Sequence, residues 1–250
     1  NGGYNANVTA TDFAINNKKN SWGFDGFAGV SQIMTKGSET EEADNKVGFR
    51  YRWGAGKKSG AFQFRISQSV ESDKYDTNDM GFLRRNNNIS NNLRFEYNKF
   101  KPFWKGRILN ASARLGIWNN QLYKPRRYSN VGYWTNINMQ FKNFWELGLN
   151  HSARPTETNN FFAPREDDYH IANPKNSDFN VWMSTDTRKR VQFSMYSGVW
   201  MRKEWNQLDN WFGFRPNIRF NDKFSLSHDL NFTFIRKERG FADKTYHDEA

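Results

Sequence analysis

The sequence predicts an all-β fold, specifically a transmembrane up-and-down antiparallel β-barrel, and three observations support this prediction. Apolar and polar residues alternate with a period of two along most of the 250 residues, as they do in strands with two different faces. Short and long polar connections alternate between these segments, which is typical of membrane barrels. The chain is 17% aromatic although only 36% of it is hydrophobic, and its mean hydropathy is −0.96. Disordered chains are poor in aromatic residues, so this composition indicates a folded protein.

The alternation predicts about twelve strands. In the segment 60–71, for example, Phe62 and Phe64 alternate with Gln63 and Arg65. Successive side chains of a strand point to opposite sides, so each strand has one apolar and one polar face. The predicted strands lie near residues 3–15, 21–35, 45–54, 60–71, 88–98, 103–118, 129–142, 144–152, 178–186, 190–202, 211–220 and 223–235.

The connections predict which end of the barrel faces outward. The short ones lie at residues 16–20, 54–59, 99–102, 142–143, 187–189 and 221–222, and the long ones at 36–44, 72–87, 119–127, 153–176 and 203–210. Outer-membrane barrels have short periplasmic turns and long external loops. Most predicted strands also reach the roughly 9–11 residues that cross a bilayer at a tilt. The sequence therefore predicts a protein of the outer membrane of a Gram-negative bacterium.

The direction of the first and last predicted strands places both ends of the chain on the external side. Asn1-Gly2-Gly3 carries neither an initiator Met nor the features of a signal peptide. Barrels of this class keep their termini in the periplasm, so we expect residues 1–250 to be a single barrel domain that is an internal or mature piece of a longer chain. The parent barrel is then expected to have at least about fourteen strands, in an even number.

The polar face of successive strands carries arginines, and the net charge of the chain is +11. If this face lines the lumen, a cationic lumen would favour anions. The alternative is that these arginines pair with carboxylates of neighbouring strands or of an inserted plug. The predicted lumen-lining residues are Arg50, Arg52, Arg65, Arg94 and Arg114.

Two further groups are predicted to contact the membrane. Tryptophans near strand ends would form the two aromatic girdles at the headgroup level, and the alternative is that they fill a soluble core. These are Trp22, Trp53, Trp104, Trp118, Trp134, Trp145, Trp200, Trp205 and Trp211. Arginine binds phosphate in a bidentate manner, so cations of the long loops could contact lipopolysaccharide, although solvated loop charge is the alternative. These are Arg84, Arg85, Lys124, Arg126 and Arg127.

Several function classes are excluded or not supported. The absence of cysteine excludes disulfides, thiolate metal sites and a cysteine nucleophile. His151-Ser152 is a candidate hydrolase pair, but no partner that would orient the histidine follows from spacing, and we predict no catalytic residue. The acidic runs 39–44, 73–79 and 166–168 lack the spacing of a calcium loop, so no metal and no cofactor is expected. The basic residues are scattered along the chain, which does not indicate a nucleic-acid partner.

Two segments resemble a known family. The opening Gly3–Phe13 reads Gly-Tyr-x-Ala-x-Val-Thr-Ala-x-Asp-Phe, and Tyr75–Asn87 contains Asn-Asp-Met-Gly-Phe-Leu. Both resemble an uncharacterised barrel domain of Bacteroidota outer-membrane proteins, which usually follows a domain similar to family 9 carbohydrate-binding modules. The resemblance implies a surface-exposed outer-membrane protein associated with glycan handling or export, and it supplies no catalytic residues.

The sequence leaves three functional hypotheses. The first is a porin-like barrel that acts as a pore or as a membrane anchor within an envelope complex, with lipid, lipopolysaccharide and other outer-membrane proteins or surface lipoproteins as partners. The second is an outer-membrane hydrolase with its site on the external loops. The third is a soluble β-rich protein whose aromatic face binds carbohydrate.

Overall fold

The computed structural model describes residues 4–35, 45–79, 81–83, 85–164 and 169–238. Its elements are the strands β1 (Tyr4–Asn16), β2 (Trp22–Thr35), β3 (Asn45–Lys57), β4 (Phe62–Glu71), β5 (Asn88–Lys99), β6 (Ile108–Gln121), β7 (Tyr128–Phe141), β8 (Glu146–Arg154), β9 (Thr158–Asn160), β10 (Ile171–Asn173), β11 (Asn176–Ser184), β12 (Val191–Arg202), β13 (Gln207–Arg219), β14 (Ser225–Ser227) and β15 (Leu230–Arg236), with one 3-10 turn at Lys203–Trp205. None of these elements is a helix able to span a membrane.

One antiparallel sheet of 13 strands contains every strand except β9 and β10, which pair with each other. Its order is β1-β2-β3-β4-β5-β6-β7-β8-β11-β12-β13, and both β14 and β15 pair with β13 at the far edge. The predicted all-β antiparallel meander is therefore confirmed. Within the described residues, β1 does not pair with the strands at the opposite edge, so closure of the sheet into a barrel is not observed.

The structure differs most from the predicted strands at two boundaries and in one additional hairpin. Residues 103–107 form a turn rather than the start of β6, because Trp104, Lys105 and Gly106 adopt positive φ angles of 52°, 56° and 75°. The connection predicted at 203–210 is instead a tight turn, in which Asn206 is left-handed and β13 begins at residue 207. Long and short connections therefore alternate less strictly than the sequence predicts. The hairpin of β9 and β10 was not predicted at all.

The last predicted strand is interrupted between β14 and β15, and proline explains the interruption. The amide of His228 donates to the carbonyl of Pro216 at 3.1 Å. Pro216 has no N–H that could donate to the carbonyl of His228, so the second hydrogen bond of this residue pair is missing and the ladder to β13 is broken at this point. Pairing resumes where Leu230 faces Phe214.

Within the described part of the chain, the sheet has two chemically different faces and no sandwiched core. The registers place Arg65 and Arg94 on one side, hereafter the arginine face, and Phe62, Leu93 and Phe212 on the other, hereafter the apolar face. Buried hydrophobic side chains of the described residues lie at strand ends or in connections; they are Val70, Tyr75, Ile89, Ile108, Leu122 and Ala153. The middle of the apolar face is therefore open.

Large rings on the arginine face lie over glycines of the adjacent strand. A Cβ built on Gly116 would collide with the ring of Trp134, and one on Gly132 would collide with Trp118. The same relation joins Gly148 with Trp182, Gly198 with Trp211, and Gly213 with Tyr196. The missing side chains give each ring room to lie flat on the sheet, which fills this face without a second layer.

The connection between β4 and β5 folds over the arginine face of β2 and β3. Tyr75 is 4% exposed, and the amide of Asp76 donates to Ser31 Oγ at 2.9 Å. The backbone of Tyr75 lies directly over Gly48, where any Cβ would be closer than 3.0 Å. This connection covers part of the arginine face at the end of the sheet that carries residues 72–87, 122–127 and 155–175, hereafter the loop end.

Candidate functional site

The five arginines predicted to line a lumen share one face of the sheet. Arg52 faces Ser69 of β4, Arg65 faces Arg94 of β5, and Arg114 faces Glu96. Because residues opposite each other in an antiparallel pair point to the same side, these registers define one continuous surface. Whether that surface lines a lumen stays a prediction.

Four of these arginines are ion-paired with carboxylates of the same face. Arg50 Nε lies 3.0 Å from Glu71 and Arg65 Nη2 lies 2.7 Å from Asp25. Glu96 is shared by Arg94 at 3.0 Å and Arg114 at 3.3 Å. Arg50 and Arg114 thus pair with carboxylates of a neighbouring strand, as in the alternative stated above, whereas Arg94 pairs within its own strand and Arg65 with a strand two positions away. Their positive charge is largely compensated locally, so they provide a weaker attraction for anions than the sequence suggests.

Asparagines on the same face form a chain of side-chain amides across three strands. Asn138 donates to Asn136 at 2.6 Å, and Asn136 donates to Asn150 at 2.5 Å. Asn150 in turn donates to Asn180 at 3.2 Å, and Asn180 donates to the carbonyl of Ser197. Each amide is both donor and acceptor, so this surface is polar without requiring charge.

A polar cavity of about 350 Å³ lies on this face at the loop end; it is hereafter the arginine–asparagine pocket. It is built from the ends of β6, β7, β8, β11 and β12, from β9 and β10, and from the connection before β5. Its lining consists of Arg85, Trp118, Asn120, Ser129, Asn130, Arg154, Thr158, Asn159, Asn160, Phe162, Asn173, Asn176 and Arg202. No carboxylate is among these described residues.

Aromatic rings hold the three arginines of the pocket. The guanidinium of Arg154 lies 6.0 Å from the ring centre of Trp118, and that of Arg85 lies 5.1 Å from Phe162. Arg202 lies 4.2 Å from Trp200 and also contacts Trp205 at 4.9 Å. A ring under a guanidinium fixes its plane and leaves its N–H groups available to a ligand.

Hydrogen bonds fix the hairpin of β9 and β10 against β7 and complete one wall of the pocket. Ser129 Oγ donates to the carbonyl of Asn159 at 3.1 Å, and Asn159 Nδ2 donates to the carbonyl of Tyr128 at 3.2 Å. In the pocket wall, Thr158 Oγ1 and Arg202 Nε are buried and have no hydrogen-bond partner. Buried polar atoms without partners are costly, and a ligand or ordered water in the pocket would satisfy them.

The tryptophans predicted to form girdles lie on both faces. Trp22 and Trp53 lie on the apolar face, where Trp22 packs edge-on against Phe64, and Trp145 packs against Phe193 of the same face. For these three, and for the exposed Trp104 in its turn, the girdle stays a prediction. Trp118, Trp134, Trp200 and Trp211 point to the arginine face, and Trp205 stacks on Arg202 in a turn, so these five cannot form a belt on the opposite side.

The predicted loop cations are also divided between the faces. Lys124, Arg126 and Arg127 are exposed between β6 and β7, and Arg126 lines a cavity of about 210 Å³ beside Phe49 on the apolar side. Arg85 belongs to the arginine–asparagine pocket instead. Arg84 lies outside the described residues. Contact with lipopolysaccharide therefore stays a prediction. The geometry favours Arg126 over Arg85 for this contact, because only Arg126 lies on the apolar side.

The candidate hydrolase pair is separated by the sheet. His151 and Ser152 are successive residues of β8 and point to opposite faces, with Ser152 on the arginine face opposite Trp134. His151 Nε2 instead lies 3.0 Å from Ser177 Oγ. The pair suggested by the sequence is therefore not a nucleophile–base pair.

No metal-binding cluster is found among the residues that the structure describes. The acidic runs 39–44 and 166–168 lie outside those residues. In the third run, Asp76 Oδ1 accepts from the backbone amide of Asn78 at 2.9 Å, and Asp79 accepts from the hydroxyl of Tyr4 at 2.5 Å. These carboxylates stabilise the connection and do not converge on a common point.

Comparisons with known proteins give one match. A family model described as "Domain of unknown function (DUF5916)" matches residues 1–250. No curated protein and no solved structure is significantly similar to the chain.

Proposed function

The chain belongs to the DUF5916 family, whose function is unknown, and from its geometry we propose that it forms part of the wall of a transmembrane β-barrel in the outer membrane of a Gram-negative bacterium. In this arrangement the arginine face lines an aqueous lumen and the apolar face contacts lipid. The barrel acts as a pore or as an anchor within an envelope complex, in contact with lipopolysaccharide and with other outer-membrane proteins or surface lipoproteins. The resemblance to Bacteroidota barrels that follow carbohydrate-binding modules fits this proposal.

The observation that carries the proposal is the open apolar face of a single-layered sheet. On the apolar face of β1, β4, β13 and β15, the exposed fractions of Phe13, Phe62, Ile66, Phe212 and Phe232 are 45%, 45%, 44%, 42% and 51%. Monomeric soluble proteins rarely expose a contiguous apolar patch larger than a few hundred Å². A lipid environment covers such a face without a second layer of protein.

The arginine face supports the same proposal. Side chains from strands two positions apart meet on it: Arg65 of β4 reaches Asp25 of β2, and Arg94 of β5 lies over Trp134 of β7. Such contacts are expected on the concave side of a curled sheet. Ion pairs and hydrogen bonds between amides satisfy the polar groups of this face, which would leave a hydrated surface as in the lumen of an outer-membrane barrel.

A pair of adjacent substitutions tests which face contacts lipid. Leu93 lies in the middle of β5 on the apolar face, and Asn92 lies beside it on the arginine face. A Lys near the bilayer midplane on the lipid side costs about 2–4 kcal/mol, whereas substitutions on a solvated surface cost at most roughly 0.5 kcal/mol. We therefore expect Leu93→Lys to lower the unfolding free energy of the full-length protein in vesicles far more than Asn92→Lys. Equal effects, or a soluble protein that migrates alike with and without boiling, would refute the proposal.

Single-channel recording separates the two roles of the barrel. Conductance across a planar bilayer would assign a pore. A protein that inserts and shows heat-dependent migration, but does not conduct, would assign an anchor with a blocked lumen.

A further inference from the structure

We propose that the arginine–asparagine pocket binds a short anionic saccharide, such as one that contains uronic acid. The proposal rests on the proposed function in one respect only, which is that the arginine face is aqueous and gives a solute access to the pocket. Three properties of the pocket support it: the charge, the polar groups and the shape.

The positive charge of the pocket is not neutralised by carboxylates as it is at four other arginines of the same face. Arg50, Arg65, Arg94 and Arg114 each lie within 3.3 Å of a carboxylate. The pocket arginines have no such ion pair among the described residues; Arg154 contacts the amide oxygen of Asn176 at 3.4 Å instead. Asp209 lies within electrostatic reach of Arg202 but does not line the cavity. Three cations therefore face the cavity, and a carboxylate, sulfate or phosphate group of a ligand would complement them.

The polar groups of the pocket match hydroxyl groups better than they match an inorganic anion alone. Five asparagines besides Asn176 line the cavity, and they are Asn120, Asn130, Asn159, Asn160 and Asn173. Each amide offers a donor and an acceptor side by side, as neighbouring hydroxyls of a sugar ring require. The unpartnered Thr158 Oγ1 adds one more polar atom of the same kind. Part of this capacity is used within the walls, where Asn130 Oδ1 accepts from Trp118 Nε1 and Asn120 Nδ2, and the remaining amide groups are available to the hydroxyls of a ligand.

The shape is also that of a small-molecule site. The volume of about 350 Å³ lies within the range of roughly 300–1,000 Å³ that is typical of ligand pockets. The walls are held in place: Trp118 Nε1 donates to Asn130 at 3.0 Å, and Asn120 donates to the same oxygen at 2.9 Å. A preformed site of this kind binds without a large cost of ordering its side chains.

The test measures binding to the full-length protein in detergent by calorimetry. The probes are digalacturonic acid, an uncharged disaccharide of the same size, and inorganic phosphate. We expect digalacturonic acid to bind at least tenfold more tightly than either of the other two. Binding of phosphate as tight as that of the acidic disaccharide would overturn the saccharide assignment, and so would equally tight binding of the neutral disaccharide.

Variants locate the site. Arg154→Gln is expected to weaken binding of digalacturonic acid tenfold or more, and Arg154→Lys, which keeps the charge, is expected to weaken it less. Arg215→Gln is the matched control, because Arg215 also lies on the arginine face but pairs with Asp229 at 2.9 Å away from the pocket. An equal loss in Arg215→Gln and Arg154→Gln would refute the location.

The result can be separated from a failure of the proposed function. If the protein shows heat-dependent migration in the outer membrane but binds no saccharide, the pocket assignment is wrong and the barrel stands. If the saccharide binds and Arg154→Gln weakens the binding, but Leu93→Lys and Asn92→Lys have equal effects, the pocket stands and the barrel proposal is wrong.

Discussion

Replacing Gly48 with alanine should detach the connection between β4 and β5 from the sheet. A Cβ at this position would lie closer than 3.0 Å to backbone atoms of Lys74 and Tyr75. Carbon atoms that are not bonded ordinarily approach to about 3.5–4.0 Å, and backbone cannot rotate away as a side chain can. The connection must therefore move, and the contacts that hold it are lost together.

The size of the effect follows from those contacts. The connection is held by the bond of 2.9 Å from Asp76 to Ser31, and by the burial of Tyr75, which is 4% exposed. A hydrogen bond contributes about 0.5–1.5 kcal/mol and burial of a large side chain about 1.5–3 kcal/mol. We therefore expect local opening to become easier by roughly 2–4.5 kcal/mol, which is a factor of roughly 30–1,600 in the opening equilibrium.

Hydrogen exchange measures this opening directly. In Gly48→Ala, the amide of Asp76 should exchange faster by that factor, while amides in the middle of β5 keep their protection. Gly81→Ala is the control, since a Cβ there meets no atom within 4 Å. Unchanged exchange at Asp76 in Gly48→Ala would refute the reasoning, and so would an equal acceleration in Gly81→Ala.

Three further predictions concern other parts of the sheet. In the turn before β12, three hydrogen bonds from Arg188 lower the pKa of Asp186 to about 2 from its ordinary value of 3.8. The pair therefore stabilises the fold fully at pH values above 3.8, and this contribution is lost as the pH falls towards 2. The unfolding free energies of wild type and Asp186→Asn should converge over that pH range. Trp182→Ala removes the half-buried ring over Gly148 and should lower the unfolding free energy by roughly 1.5–2.5 kcal/mol, about half the value for a fully buried ring, whereas Trp182→Phe should lower it less. Equal losses for the two variants, measured by urea unfolding in vesicles, would show that the ring does not pack on Gly148. Pro216→Ala supplies the missing N–H donor towards His228, so the amide at position 216 should become protected from hydrogen exchange and the unfolding free energy should rise by about 0.5–1.5 kcal/mol. An unprotected amide would show that proline is not the cause of the interruption.

The strands could be predicted from the sequence because a period of two is a local signal. The strand predicted at 88–98 is observed at Asn88–Lys99, and its apolar and polar positions lie on opposite faces. Local composition misled the prediction at two places. Phe103 and Trp104 look like the start of a strand, but positive φ angles at Trp104 and Lys105 form a turn. Gln207 and Asp209 look like a loop, but they are polar because they lie on the arginine face of β13.

The tryptophans show a signal that the sequence contained and the prediction did not use. Their distance from strand ends predicts girdles, but the parity of their positions along each strand predicts the face to which they point. Trp118 has the same parity as Arg114 in β6, which already places it on the arginine face. The pocket could not be predicted in this way, because Arg85, Arg154 and Arg202 come from three separate connections and strand ends, and only the folded sheet brings them together.

The rings that lie over glycines have a consequence for how this family can vary. Gly116 and Trp134 form a unit of two residues on adjacent strands, and a change of either one alone leaves a collision or a void. Substitutions at such a pair are expected to be coupled: the two residues exchange positions, or a smaller residue replaces the ring together with a small side chain in place of the glycine. An alignment of homologues should therefore show covariation at 116 and 134, and likewise at 148 and 182, and these pairs would report the strand register of any relative without a structure.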